Sequence, residues 1–365
     1  MAILHADDFS GYGTDTDLML AGVYAGFRAP GFTSVSVAPA LTLDPDGVSP
    51  GRVLRCGPVG QNPTLNVRHV LAGGAVTTIG VMFRIWFPAL PDAGFNGITL
   101  MSAGSSYLYT LTIDAAGYMH IRSGDFNDAI LYSSDLPAIT AQGWYHIEWK
   151  TVIDSTTGSF EVRVAGTPVS GLTQSNINTG STGVGQVGLM QKGETGGDTH
   201  SYYVKDFVIW DNSGSDVTDF LGTCILHGHT LTADIALNWT PEGDTEGYDI
   251  LNNVPPSVGE YIYAEDDPLP DAYQASISPL PDDVSSVKAV VVRYMAAKND
   301  GGDASVRSQM ISDPEGTADV ANGTARPITI AQTFWTDIFH TDPKTGAPWL
   351  PASVNAANVA IDRTV

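Results

Sequence analysis

Gly183, Gly185 and Gly188 spell G-x-G-x-x-G within TGVGQVGLM, the spacing by which a tight turn offers a helix N-terminus to a pyrophosphate. That chemistry needs a helix after the motif, and here the glycines lead into the alternating run GQVGLMQKG. The stretch reads as a loop entering a strand. His227 and His229 in LHGHT would share one side of an extended segment, as paired metal ligands do. A metal needs three or four convergent donors, and no Cys, His or acidic partner stands at a helpful spacing, so both read as surface or hydrogen-bonded histidines.

The acidic loops LDPDG at Leu43 and SGDFNDA at Ser123 carry oxygens of the kind calcium gathers. Neither has the spacing of a helix-loop-helix calcium loop, and both fit turns built by Asp, Asn and Gly. Contact with an ion or a glycan by Asp125, Asn127 or Asp128 is the competing reading. Tyr107, Tyr109, Tyr132, Trp144, Tyr202 and Tyr203 offer flat faces that suit sugar rings, although in a sheet most such rings are core or cross-strand pairs. No Walker loop or H-E-x-x-H helix occurs. The strands hold few acids, so a pair of carboxylates flanking a glycosidic bond is not indicated. With no catalytic residue and no cofactor motif, the expectation is a protein that is not an enzyme.

The elements that would position these residues are strands. Apolar and polar residues alternate in many short runs, broken by 39 Gly and 22 Pro. GWYHIEWKTVIDSTTGSFEVRVAG, from Gly143, is the plainest: Tyr145, Ile147 and Trp149 alternate with His146, Glu148 and Lys150, a polar turn follows, and Phe160, Val162 and Val164 alternate again. Further strands are expected at RVLRCG from Arg52, VTTIGVMFRIWFPAL from Val76, GITLMSA from Gly97 and SYLYTLTID from Ser106. GYMHIRSG from Gly117, AILYSS from Ala129 and HSYYVKDFVIWDN from His200 complete the set. Such spacing predicts an all-β sandwich whose strands each present one wet and one buried face.

A chain of 365 residues exceeds what one compact domain usually needs. The pattern breaks at SGSDVTDFLG, which places a first domain at residues 1–212, a linker at 213–222 and a second β domain at 223–365. The second region has strong strands in SVKAVVVRYMAAK from Ser286 and RPITIAQTFWTDIFHTD from Arg326, and a short helix near LPASVNAANVA with Pro351 in its first turn. Hydrophobic residues make up 43% and charged ones 16%, enough apolar material for cores and too much for disorder. Forty acidic against 17 basic side chains leave a net charge of -23, which repels phosphate backbones and anionic headgroups. Neither nucleic acid nor membrane is an expected partner. Cys56 and Cys224, far apart, read as two buried thiols, a bridge between them being the lesser alternative. The opening MAILHADDFSGYG carries acids where a secretory signal carries bases, and no run approaches the ~20 apolar residues of a membrane span. Cytoplasmic synthesis is the expectation.

Residues 1–212 resemble the concanavalin A-like or laminin-G-like jelly roll, through DDFSGYG at Asp7, the hairpin from Gly143 and the closing YYVKDFVIWDNSGS from Tyr202. Domains of that type return their last strand beside the first. A narrower resemblance, over nearly the whole chain, is to virion proteins of tailed bacteriophages and prophages. It is carried by KDFVIWDNSGSDVTDFLG, NWTPEGDTEGYDILNNVPPSVGEYIYAED, VRYMAAKNDGGDASVRSQM and DPKTGAPWLPASVNAANVAI. Those proteins join a laminin-G-like module to a second β domain through the same D-F-L-G connection; where relatives have Asn-Asn before Phe-Leu-Gly, this chain has Thr218 and Asp219. The resemblance implies that Asp219, Phe220, Leu221 and Gly222 tie the domains together. It further implies a structural part of a virion, on the tail or capsid surface, assembled in the host cytoplasm with other virion proteins and copies of itself. A carbohydrate-binding adhesin for host surface glycans is the competing expectation. The resemblance brings no catalytic residue and no cofactor, and calcium stays in view only for the acidic loops.

Overall fold

The computed structural model describes residues 2–9, 40–43, 52–56, 64–91, 96–125, 128–192, 201–214, 219–253, 259–264, 271–299, 301–313 and 319–364. Asn127, Thr218 and the LDPDG loop beyond Leu43 lie outside them. The described chain is nearly all β and divides into two compact units, the second beginning at His227.

Strands are numbered in chain order. One sheet of the first unit runs β12 (Thr167–Ile177), β11 (Gly158–Val164), β10 (Trp144–Val152), β5 (Thr78–Trp86), β14 (Tyr202–Asp211), β3 (Arg52–Cys56) and β2 (Ala40–Leu43). Strand β1 (Ile3–Asp7) also pairs with β14, so the last strand does return beside the first. The other sheet runs β4 (Thr64–Val70), β13 (Gln186–Lys192), β6 (Asn96–Met101), β7 (Tyr107–Ile113), β8 (Met119–Ser123) and β9 (Ile130–Ser133).

Period-2 alternation sends Ile147 and Trp149 of β10, Val81, Phe83 and Ile85 of β5, and Phe160 and Val162 of β11 into one core. Ile98, Leu100, Leu111, Ile121, Val187 and Leu189 of the other sheet are buried with them, each such side chain contributing about 1.5–3 kcal/mol. The Phe160 ring bridges the sheets, edge-on to Tyr109 at 4.7 Å and 5.9 Å from Tyr132.

The opposite face of the first sheet is not wet, contrary to the simple alternation. Met82, Glu148 and Trp210 are all out of solvent there. Strand β14 carries a bulge between Lys205 and Val208, with Asp206 at φ 53, and beyond it Trp210 stands opposite Gly80. The indole lies where a side chain would be: a Cβ on Gly80 would come within 2.0 Å of the ring. Residues 219–226 belong to this unit and lie against the same face, so the division falls after Leu226 and not within 213–222. The linker was expected at 213–222 from the polar, glycine-containing SGSDVTDFLG, and the second domain from 223; Lys150 and Glu148 of the sheet bind Asp219 and Gly222.

In the second unit a six-stranded sheet runs β15 (Leu231–Leu237), β18 (Asp271–Ile277), β24 (Asn358–Arg363), β20 (Ser305–Ser312) and β21 (Asp319–Asn322), with β22 (Arg326–Pro327) also on β20. Two ribbons pair β16 (Thr240–Glu242) with β17 (Tyr261–Tyr263), and β19 (Val290–Ala296) with β23 (Thr333–Phe339). Met310 and Phe339 join the six-stranded sheet to the β19–β23 ribbon around Trp349, whose Nε1–H donates to the Phe339 carbonyl at 3.0 Å. Two short helices, α1 (Gly247–Leu251) and α2 (Pro351–Asn355), close the ends, and Pro351 does open α2.

Candidate functional site

The Asp219, Phe220, Leu221 and Gly222 group converges on the outer face of the first sheet. Alternation along β10 puts Trp144, His146, Glu148 and Lys150 on that face, and the β10–β11 register sets Arg163 opposite Glu148. The Lys150 ammonium donates to Asp219 Oδ1 at 2.7 Å. The Arg163 guanidinium covers the Phe220 ring at 3.7 Å and bonds Glu161 at 2.7 Å, a cation–π geometry that also shields the ring from water. Leu221 is buried, and Gly222, at φ +79, donates its N–H to Glu148 Oε1 at 3.1 Å. Farther along, Leu226 donates its N–H to Asp206 Oδ1 at 3.1 Å, while Arg84 holds Asp206 Oδ2 at 3.2 Å. The segment is a strap fastened at both ends.

Two polar side chains beneath it are poorly compensated. Glu148 is 0% exposed, its Oε2 has no partner, and burial pushes its carboxyl up to about 7 despite the Gly222 and Leu221 N–H groups. Both His146 ring nitrogens lack partners, and burial, with the nearby Arg84 charge, pulls the imidazole down to about 4.

A second polar arrangement lies on the outer face of the other sheet, away from the core residues Leu111 and Ile121. Thr110 and Thr99 share a 3.1 Å hydroxyl contact, and Arg122 Nε donates to Thr112 Oγ1 at 3.3 Å. His120 bridges Ser133 Oγ, 2.8 Å from Nδ1, and Asp114 Oδ2, 3.1 Å from Nε2. Asp114 also accepts the Ala116 and Tyr118 N–H groups, and these bonds lower its carboxyl despite partial burial. The three residues have the connectivity of a nucleophile, a base and an orienting carboxylate, with the ring nitrogens exchanged relative to the usual triad. Within the fold they tie the β7–β8 turn to edge strand β9.

Of the acidic trio, Asp125 and Asp128 are described, and both serve the turn. Asp128 Oδ2 accepts the Asp125 N–H at 2.8 Å, and the Asp128 carbonyl accepts Arg122 Nη1 at 2.9 Å. The loop stands beside that outer face, whose Thr99, Thr110, Thr112, His120 and Arg122 are all buried. No group of three or more His, Cys, Asp or Glu suited to a metal occurs among the described residues.

No protein-family model matches the chain, and no curated protein matches it in sequence. Among solved structures it is similar to a GH131 β-glucanase catalytic domain from Podospora anserina, at 14% identity over 59% of this chain and 97% of that one, with a TM-score of 0.41. It is also similar to the alginate lyase vAL-1 from Chlorella virus, at 14% identity over 47% and 88% of the two chains and a TM-score of 0.33. The carbohydrate binding module CBM66 from Bacillus subtilis gives 12%, 46% and 89%, with a TM-score of 0.31. All three scores lie under 0.5, and the sandwich assignment rests on the strand pairing and core described above.

The remaining sequence candidates are structural where described. His227 and His229 lie edge to face at 5.2 Å, with His229 Nδ1 against the Ser278 carbonyl. Tyr202 is buried, Tyr203 packs edge-on to Trp86, and Trp144 lies under Lys205 at 4.2 Å; Tyr107 is exposed. The glycine motif enters β13 and no helix. Cys56 and Cys224 form no disulfide; burial pushes Cys56 up to about 12, whereas Cys224 is half-buried. No described helix is long and apolar enough to cross a membrane.

Proposed function

We propose that this chain is a non-enzymatic structural component of a tailed-bacteriophage particle, on the tail or capsid surface, held by protein–protein contacts with other virion proteins and with its own copies. The observation that carries the reading is the strap. The Asp219–Phe220–Leu221–Gly222 segment, which resembles a connection of virion proteins, is held to the first sheet through Asp219, Phe220 and Gly222. A connection held in this way leaves the module a stiff platform, and stiff modules repeated by symmetry multiply weak contacts into firm ones. The net charge of -23 suits an exterior surface better than a genome-facing one. Quantitative mass spectrometry of gradient-purified particles from the encoding cells tests the proposal. A fixed ratio of this chain to the major capsid protein is expected; a chain that stays wholly in the soluble lysate overturns it.

A second reading, a carbohydrate-binding adhesin, rests on the turn after β8, where Asp128 is exposed and Asp125 half-buried. Saturable binding on a glycan array, lost in Asp128→Ala, would support it. A silent array with folded protein would remove it.

A further inference from the structure

Glu148 has the geometry of a proton-dependent fastening. It lies fully out of solvent, its carboxyl has only the Gly222 and Leu221 N–H groups as donors, and Oε2 has no partner. A buried carboxylate that keeps its charge needs a bonded cation or several donors. The cation directly opposite in register, Arg163, is turned away: its Nε bonds Glu161, and its guanidinium lies over Phe220. Lys150, the next residue on the same face, is engaged by Asp219. The strap therefore closes over a carboxyl group better accommodated neutral than ionised.

We propose that residues 219–226 form a proton-linked latch on the outer face of the first sheet, closing with uptake of a proton at Glu148 and loosening when that proton leaves.

The charged and titratable groups facing Glu148 set the sign. His146 and Lys150 flank it on β10, Arg163 and Glu161 stand on β11, Arg84 on β5, Lys205 and Asp206 on β14, and Asp219 on the strap itself. Burial is the largest influence on Glu148 and raises its carboxyl from 4.5 to about 7, Arg163 only partly offsetting it. A group raised in the closed state favours closure fully below its free value of 4.5, and that contribution is lost as pH rises through about 7. The other fastening, at Asp206, keeps Arg84 as its partner and holds the far end.

Hydrogen–deuterium exchange on the full chain reads the latch directly. After correction for intrinsic exchange, the Gly222 amide should lose protection by about tenfold per pH unit between pH 4.5 and 7, where opening releases one proton, and level off above pH 7. Amides of β10 facing β5 should not change. In Glu148→Gln, which keeps the acceptor and cannot ionise, Gly222 protection should be independent of pH. A wild-type profile flat from pH 5.5 to 8.5, or the same slope in wild type and Glu148→Gln, overturns the proposal. The wild-type profile decides by itself should the variant fold poorly.

Discussion

Trp210 lies flat across Gly80, so close that a Cβ on the glycine would sit 2.0 Å from the indole. The two are partners in register between β14 and β5, at the centre of the first sheet, where the backbone cannot shift without breaking two ladders. Gly80→Ala is therefore expected to destabilise the first unit by at least about 1–3 kcal/mol, the usual cost of overpacking. Gly73→Ala, which meets nothing within 4 Å, is the control. Comparing the two by urea unfolding checks the claim; equal midpoints would show that Trp210 can leave the glycine at little cost.

His146 and Glu148 make opposing contributions to the pH dependence of stability. Burial lowers His146 from 6.5 to about 4, so the unfolded chain binds its proton more readily and stability is lost as pH falls through that window. Burial raises Glu148 from 4.5 to about 7, so the folded chain binds that proton and stability is lost as pH rises. Between pH 4.5 and 6.5 the two nearly cancel. Removing the imidazole by His146→Gln should leave the Glu148 contribution alone, and stability relative to wild type should fall with rising pH by about 1.4 kcal/mol per unit across that window. Parallel wild-type and variant curves would mean that His146 does not titrate on unfolding as its burial implies.

The strands that alternate cleanly were legible because each side chain's fate depends on its neighbours two positions away. Ile147 and Trp149 are core, as the hairpin pattern indicates. Strand β12 was not legible: TPVSGLTQSNI buries only Leu172 and pairs with β11 through two register shifts, as edge strands often do. The strap, which spans the end of the expected linker (213–222) and the expected start of the second domain (from 223), shows the other limit. Its partners Glu148 and Lys150 lie 74 and 69 positions earlier, so local composition carries no trace of them. Asp114, His120 and Ser133 likewise come together only through the β7, β8 and β9 register. At the acidic loop the turn reading had a local basis, and the Asp128 carboxylate accepts the Asp125 N–H three residues before it.

In the second unit Asp234 supplies the cap that helix α1 lacks locally. Glu246 makes no side-chain cap bond, and Asp234 on β15 accepts the Gly247 and Tyr248 N–H groups at 2.8 Å each and the Tyr273 hydroxyl at 2.7 Å. Asp234→Ala should cost about 1–3 kcal/mol, combining a lost cap with a stranded buried phenol. Asp234→Asn, which keeps one acceptor oxygen, should cost less. Thermal unfolding of both variants would check this order, and an equal loss would show that the carboxylate charge matters more than the number of acceptors.

Asp337 is the buried anion on which the β23 side of the second unit turns. Its carboxylate accepts Ser308 Oγ at 2.6 Å, the Thr324 N–H at 3.2 Å and Arg326 Nη2 at 3.3 Å, and the Arg326 guanidinium lies 5.0 Å from the Trp335 ring. Three donors from β20, the β21–β22 turn and β22 meet on one β23 side chain, which makes the carboxylate a fastener between the ribbon and the sheet. Replacing one partner of a buried pair strands the other, at a cost of about 3–5 kcal/mol. Asp337→Ala should therefore lower the stability of the second unit by that amount, while Asp337→Ala combined with Arg326→Met should recover part of the loss because no unpaired cation remains. A double variant no more stable than the single one would locate the cost in the Ser308 and Thr324 bonds instead of the ion pair.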